Sequence, residues 1–241
     1  MLRKTRGIVL HVTDYAETSL VAKIYTAEFG LQSYLINGVR KQKSKFKSNL
    51  FQPLNLVEIV AYHKEGHGLK RISEIHAHPQ LTSIPYDIVK SSVAIFLNEV
   101  IYRSIREEEK NQTLFDFLFS SIQILDLRTV DCSAFHLYFM IQFTRYLGFF
   151  PNGNYFEEQS IFNLEDGIFQ LNTPPHPHFL SNHLTKFLYG LMQCSFENYQ
   201  QIKMTHLQKK ELLNALITYF ELHHTHGTHL KSHHVLHEIM N

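Results

Sequence analysis

The stretch Thr5 to Val39, TRGIVLHVTDYAETSLVAKIYTAEFGLQSYLINGV, decides the fold. Its apolar residues recur in the short period of strands, rich in Val, Ile, Leu and Tyr, and turn residues interrupt them about every ten to fifteen positions. Three strands follow: Thr5 to Val12, Leu20 to Thr26 and Gln32 to Val39, joined by DYAETS and AEFGL. Downstream, LNLVEIVAY (Leu54 to Tyr62) and LKRISEIHA (Leu69 to Ala77) add two more, linked by HKEGHG, whose Gly66 and Gly68 suit a tight turn. No helix in this region is long enough to cover both faces of a flat sheet. Five short strands are then best satisfied by closing into a small barrel, and the oligonucleotide-binding (OB) fold is the commonest such solution.

After His78-Pro79 the period changes to that of helices. Apolar residues three and four apart mark Pro85 to Ile105, Gln112 to Leu127, Ser133 to Leu147, Leu180 to Cys194 and Leu207 to Leu222, each with a dry and a wet face. The chain thus reads as α+β: a barrel domain over 1–80 and a mostly helical domain over 81–241. An insertion at about 149–178 interrupts the helices, where SIFNLE and GIFQLN flank the turn dipeptide Asp166-Gly167, as in a two-residue hairpin. Pro174, Pro175 and Pro177 then block regular structure before the next helix. The stripe Phe115, Leu118, Phe119, Ile122 and Leu125 reads as core, and Glu107, Glu108 and Glu109 as a solvated connection.

The 241 residues carry a net charge of only +1, yet the charge is unevenly placed. Residues 1–80 hold 12 Lys+Arg against 6 Asp+Glu, and residues 81–241 hold 11 against 16. Between Asn37 and Leu54, NGVRKQKSKFKSNLFQPL contains Arg40, Lys41, Lys43, Lys45 and Lys47 and no acid. These cations sit in a connection of the barrel, with Phe46 among them and Tyr25 and Tyr34 on nearby strands. Aromatic rings beside cations offer a stacking surface next to phosphate partners. Nothing in the segment reads base edges, so the pattern predicts binding directed at the nucleic-acid backbone.

Other functional classes have weaker support. No run reaches the ~18 uncharged apolar residues that span a bilayer, and MLRKTRGIVLHVTD lacks the apolar block of a secretory signal, which predicts a cytoplasmic protein. Cys132 and Cys194 lie in helical stretches and form no CxxC, so they read as small apolar residues in a reducing compartment. His229, His233 and His237, spaced four apart, could share a helix face and support a metal-dependent hydrolase, but Gly227 and Thr228 interrupt the run. No HExxH, P-loop or GxSxG occurs. An RNA-binding module is a further alternative, because the sequence cannot show whether a 2′-hydroxyl is read.

In order along the chain, GIVL, DYAETSLVAKIYTAEFG, NGVRKQKSKFKSNLFQPLNLVEI, YLGFFPN and the LKS of HLKSHHVLHEI resemble the bacterial DNA repair and recombination mediator family RecO. The resemblance implies an N-terminal OB barrel, a helical C-terminal domain and no enzymatic activity. It further implies binding of single- and double-stranded DNA, annealing of complementary strands, and association with the nucleoid. The implied protein partners are RecR, the C-terminal tail of single-stranded-DNA-binding protein and, indirectly, the recombinase RecA. On this resemblance Arg40, Lys41, Lys43, Lys45 and Lys47 occupy the DNA-binding stretch. Many members carry a four-cysteine zinc module after the LGF segment. The corresponding residues here, Pro151 to His178, contain no cysteine and only His176 and His178 as soft ligands, at most half a site, so no cofactor is expected. Phe156, Ile161, Phe162, Leu164, Ile168, Phe169 and Leu171 are expected to hold the hairpin by packing instead.

Overall fold

Strand β1 (Leu2–Tyr15) is long enough to pair with two neighbours in succession, and this closes the barrel. In the computed structural model, which describes residues 1–39, 46–63, 68–106, 108–129, 132–157, 159–224, 230–232 and 236, its first half pairs antiparallel with β4 (Leu56–Tyr62). From Gly7 onward it pairs antiparallel with β2 (Ser19–Thr26), across an irregularity between Val9 and His11. Gly7 is paired on both sides at this changeover, and a β-carbon there would lie 2.5 Å from Ile24 Cγ2, so the barrel wall closes only around a residue without a side chain. With β3 (Gly30–Ile36) and β5 (Lys70–Ala77) the order is β1-β2-β3-β5-β4, a closed five-stranded barrel as the alternating pattern predicts. The β3–β5 pair is parallel. Inward residues including Val9, Ala22, Ile24, Tyr34, Ile36, Val57 and Ile59 fill the interior.

The strand limits shift where the backbone demands it. Leu54 was expected to begin the fourth strand, but it adopts a left-handed φ of +61° and bonds back to Val9 O at 2.7 Å, so β4 starts at Leu56.

Two helices follow, α1 (Ile88–Ser104) and α2 (Gln112–Leu127). The Asp87 carboxylate caps the first, accepting from Val89 N and Lys90 N. Phe115, Leu118, Phe119, Ile122 and Leu125 are all buried, as core positions should be, and Glu108 and Glu109 are exposed. Glu107 lies outside the described residues. The chain divides into two compact units, Met1–Leu127 and Arg128–Asn241. The change from strands to helices falls where the sequence places it, while the first compact unit continues through α2.

The second unit contains α3 (Phe135–Leu147), β6 (Ile161–Asn163), β7 (Ile168–Gln170), β8 (Phe179–Leu180), α4 (Asn182–Gln193) and α5 (His206–His223). Helix α3 ends at Gly148 in the left-handed region, φ +87°. Thr205 and Gln208 form a reciprocal capping box at the start of α5. The insertion is a three-stranded sheet of order β7-β6-β8, one strand more than the expected hairpin. Four residues, Leu164 to Gly167, make the turn in place of two, because Asn163 Oδ1 accepts from Glu165 N and Asp166 N and holds a wider loop. Ile161, Phe162, Leu164 and Phe169 are buried as anticipated. Phe156, Ile168 and Leu171 are not: they remain 52%, 37% and 54% exposed. Alternation along β7 sends Phe169 inward and its neighbour Ile168 outward.

Candidate nucleic-acid interface

The basic segment leaves the barrel and returns to it through residues fixed in the core. After β3 the chain turns at Asn37-Gly38, and Val39 packs into the barrel interior. On return, half-buried Phe46 and Leu50 pack against that interior, and Phe51 and Leu54 are buried. Arg40, Lys41, Lys43 and Lys45 lie outside the described residues. Six positions therefore separate Val39 from Phe46, both anchored on the barrel. Lys47 is exposed immediately before a short 3-10 turn, Ser48–Phe51.

The stacking surface expected from Tyr25, Tyr34 and Phe46 requires correction. Tyr34 is 0% exposed because β3 turns Gln32, Tyr34 and Ile36 to the inside, and burial pushes its hydroxyl far above the usual phenol range. Tyr25 is 1% exposed, covered by the Phe115 ring of α2 at 6.1 Å between centroids. Phe46 leans on the barrel core and serves as an anchor. None of the three presents an open ring for a base.

The other described cations of the barrel are mostly engaged within the protein. Lys4 Nζ lies 2.8 Å from Glu58 Oε1, and its hydrogen bond holds the Glu58 carboxyl below the usual range. Arg6 lays its guanidinium over Phe115 and Phe119, at 5.4 and 5.1 Å from the ring centres, and reaches Asp116 at 3.5 Å. Lys110 pairs with Glu28 at 3.0 Å. Lys70 is buried and donates to Gln32 Oε1. Among the described residues, Arg3, Lys47 and Arg71 are exposed and make no ion pair. Arg71 is a cation that sequence reading missed. It sits opposite Leu35 in the parallel β3–β5 pair, beside the point where the chain enters the basic segment. Nothing local signals this, since the pairing joins strands distant in sequence.

A second aromatic and cationic patch lies on the flank of the first unit. His11 stacks on Tyr102 of α1 at 4.8 Å, and Lys23, opposite His11 in the β1–β2 register, places Nζ 5.4 Å from the Tyr102 ring centre. Burial, and secondarily the Lys23 charge, push the His11 pKa below its ordinary value and favour the neutral ring. Asn98 Nδ2 donates to Leu10 O at 3.0 Å and fixes α1 against β1. The helix supplies the ring, so the strand pattern gave no sign of it.

In the second unit, Cys132 is buried, Cys194 is half-buried, and neither is bonded to another cysteine. Burial pushes the Cys194 thiol up, away from the thiolate a metal would bind. With no cysteine in the insertion, a four-thiolate zinc module does not fit this chain. Glu165, His176 and His178 do bring metal-ligating atoms within 4.8 Å of one another, so a carboxylate joins the two histidines that the sequence reading counted. His229, His233 and His237 lie outside the described residues. No helix among the described residues is long and apolar enough to cross a membrane.

Comparison with known proteins places these features in a family. The family model described as Recombination protein O N terminal matches residues 1–79, and that described as Recombination protein O C terminal matches residues 85–234. The chain is 37% identical over 241 residues, all of both chains, to a protein of Phocaeicola vulgatus named DNA repair protein RecO. Proteins of the same name from Azobacteroides pseudotrichonymphae and Bacteroides fragilis are 32% and 36% identical, again over the whole of both chains.

Proposed function

The chain belongs to the RecO family of DNA repair and recombination proteins, and from that premise we propose that it is a non-enzymatic DNA-binding mediator whose basic segment grips strand backbones. The observation that carries this reading is the acid-free run Arg40, Lys41, Lys43, Lys45 and Lys47, whose first four cations lie between the core anchors Val39 and Phe46. Elsewhere in the barrel Lys4 and Arg6 are paired with acids and Lys70 is buried, and this run is the densest acid-free block of cations in its sequence. On the described surface Lys47 of this run is exposed, and Arg71 of β5 adds a further exposed cation.

The mechanism is charge neutralisation. Two strands approaching each other repel through their phosphates, and cations on one protein segment reduce that repulsion and release condensed counterions. Binding is then insensitive to sequence and serves single- and double-stranded DNA alike, which favours annealing. The acidic residues 81–241 are a poor DNA surface and supply the contacts to RecR and to the tail of single-stranded-DNA-binding protein, so that RecA is loaded onto coated strands. A protein acting on chromosomal DNA in this way works in the cytoplasm at the nucleoid.

Replacing Lys43, Lys45 and Lys47 by glutamate in the full chain tests the reading by fluorescence anisotropy with several labelled single strands. The expected result is weaker binding to every sequence with an unchanged melting temperature. Unchanged affinity in a protein that melts normally would show that the segment is only a solvated loop. Competition by RNA of the same length distinguishes a general single-strand binder from one selective for DNA.

A further inference from the structure

We propose that Glu165, His176 and His178 form a three-ligand zinc site that clips the β6–β7 turn to the segment leading into β8. The three side chains come from two stretches that the backbone holds side by side. Leu164 N donates to His178 O at 2.9 Å, and β6 pairs antiparallel with β8 through Phe162 opposite Leu180 and Asn163 opposite Phe179.

Each ligand is positioned before any ion binds. Buried Asn163 accepts from the backbone N–H of Glu165 at 2.9 Å and donates to Asp166 at 2.7 Å, which fixes the turn carrying the carboxylate. Gly167, with φ +69°, completes that turn under the Tyr219 hydroxyl, where a β-carbon would come within 2.8 Å. His176 and His178 flank Pro177 at a bend in the chain, and their ligating atoms lie within 4.8 Å of each other and of the Glu165 carboxylate. The proline ring removes one backbone freedom between them.

Two of the donor separations are close to what zinc needs, and all three donor atoms lie within 4.8 Å of one another. Zinc bonds of about 2.0–2.1 Å in tetrahedral directions set ligand atoms about 3.3 Å apart. Glu165 Oε1 lies 3.4 Å from His176 Nδ1 and 2.9 Å from His178 Nδ1. The shorter distance is a hydrogen bond; the longer is not, and the His176 Nδ1 is buried without a hydrogen-bond partner. A single carboxylate oxygen thus faces two imidazole nitrogens, one of them unsatisfied, and an ion between the three satisfies all of them. Two imidazoles and one carboxylate favour zinc over calcium or magnesium, which take oxygen ligands. Solvent completes the fourth position beside the exposed Glu165. The ligand set differs from four cysteines, and it ties together a sheet already held by Phe162, Leu164 and Phe169.

The test titrates metal-free full-length protein with zinc chloride, reading heat and melting temperature, beside the same titration of Glu165→Gln and of Glu165→Gln/His176→Ala/His178→Ala. The chain has 17 histidines, so the difference between proteins carries the result. The expected outcome is loss of one zinc equivalent and of the zinc-dependent rise in melting temperature in the triple variant. In Glu165→Gln, which keeps the shape of an exposed side chain, the affinity of that equivalent should fall about ten-fold or more. Calcium chloride at equal concentration should shift neither reading. Equal zinc stoichiometry in wild type and in both variants would overturn the proposal and leave the trio as a hydrogen-bonded histidine pair.

Discussion

Asp126 shows how much one side chain can organise. Next to the last residue of α2, it accepts from the N–H groups of Thr82, Ser83 and Ile84, each at 2.8 Å, and from the Thr82 hydroxyl at 3.0 Å. Its backbone carbonyl accepts from Lys90 Nζ at 2.9 Å. Burial pushes the carboxyl pKa up, but the four donors outweigh it and hold the value below the ordinary carboxylate range. The folded value lies below the unfolded value of about 3.9, so the stabilisation is complete above roughly pH 4 and is lost as pH falls through the folded value. Asp126→Ala should cost about 3 kcal/mol at pH 7, since it strands buried donors. Urea melts at pH 7 and pH 3 check this: the penalty should shrink at pH 3, and an equal penalty at both would place the effect in packing. The sequence around Asp126, ILDLRTV, contains no cue to this role, because the donors to its carboxylate lie more than forty positions earlier. The same gap explains Tyr25 and Tyr34. Both look like ordinary strand tyrosines, and only the inward face of β3 and the packing of α2 remove them from the surface.

At the scale of elements, periodicity was the most legible signal. Five strands and five helices lie close to where alternation and three-four spacing put them, because each buries one face and the pattern of burial is the pattern of sequence. The short insertion was less legible. Strands of two and three residues carry almost no period, so β8 went unread and its Leu180 passed as the start of the helix that begins at Asn182. The insertion is nevertheless built around Phe162, which is 0% exposed and packs on Phe169 at 5.1 Å and Tyr219 at 5.4 Å between ring centres. Phe162→Ala should cost about 3–5 kcal/mol through the cavity it leaves, read as a fall in the denaturation midpoint. Treating the wild-type protein with a strong chelator should lower its melting temperature by far less than that substitution does. A larger drop on chelation would mean that metal, rather than apolar packing, holds the sheet.

For the whole molecule, the charge division and the structural division do not coincide. Net positive charge is concentrated in residues 1–80, whereas the first compact unit runs to Leu127 and includes helices whose side chains reach the barrel, such as Asp116 to Arg6 and Asn98 to Leu10. A fragment of residues 1–127 should therefore melt cooperatively and bind single-stranded DNA, while residues 1–80 alone should lose stability because Tyr25 loses its cover. Circular dichroism of both fragments decides this, and equal stability would show that α1 and α2 add nothing to the barrel. The candidate interface was legible in the sequence as a density of lysine without acid. Its Arg71 extension was not, since a parallel pair of strands creates it. The central claim, that the basic segment neutralises phosphates, is tested most directly by the salt dependence of single-stranded DNA binding. Each phosphate contact contributes about 0.7 to the slope of log affinity against log salt, so Lys43→Glu/Lys45→Glu/Lys47→Glu should flatten that slope by about 2 in a protein that still melts like the wild type. An unchanged slope in that folded variant would contradict the account.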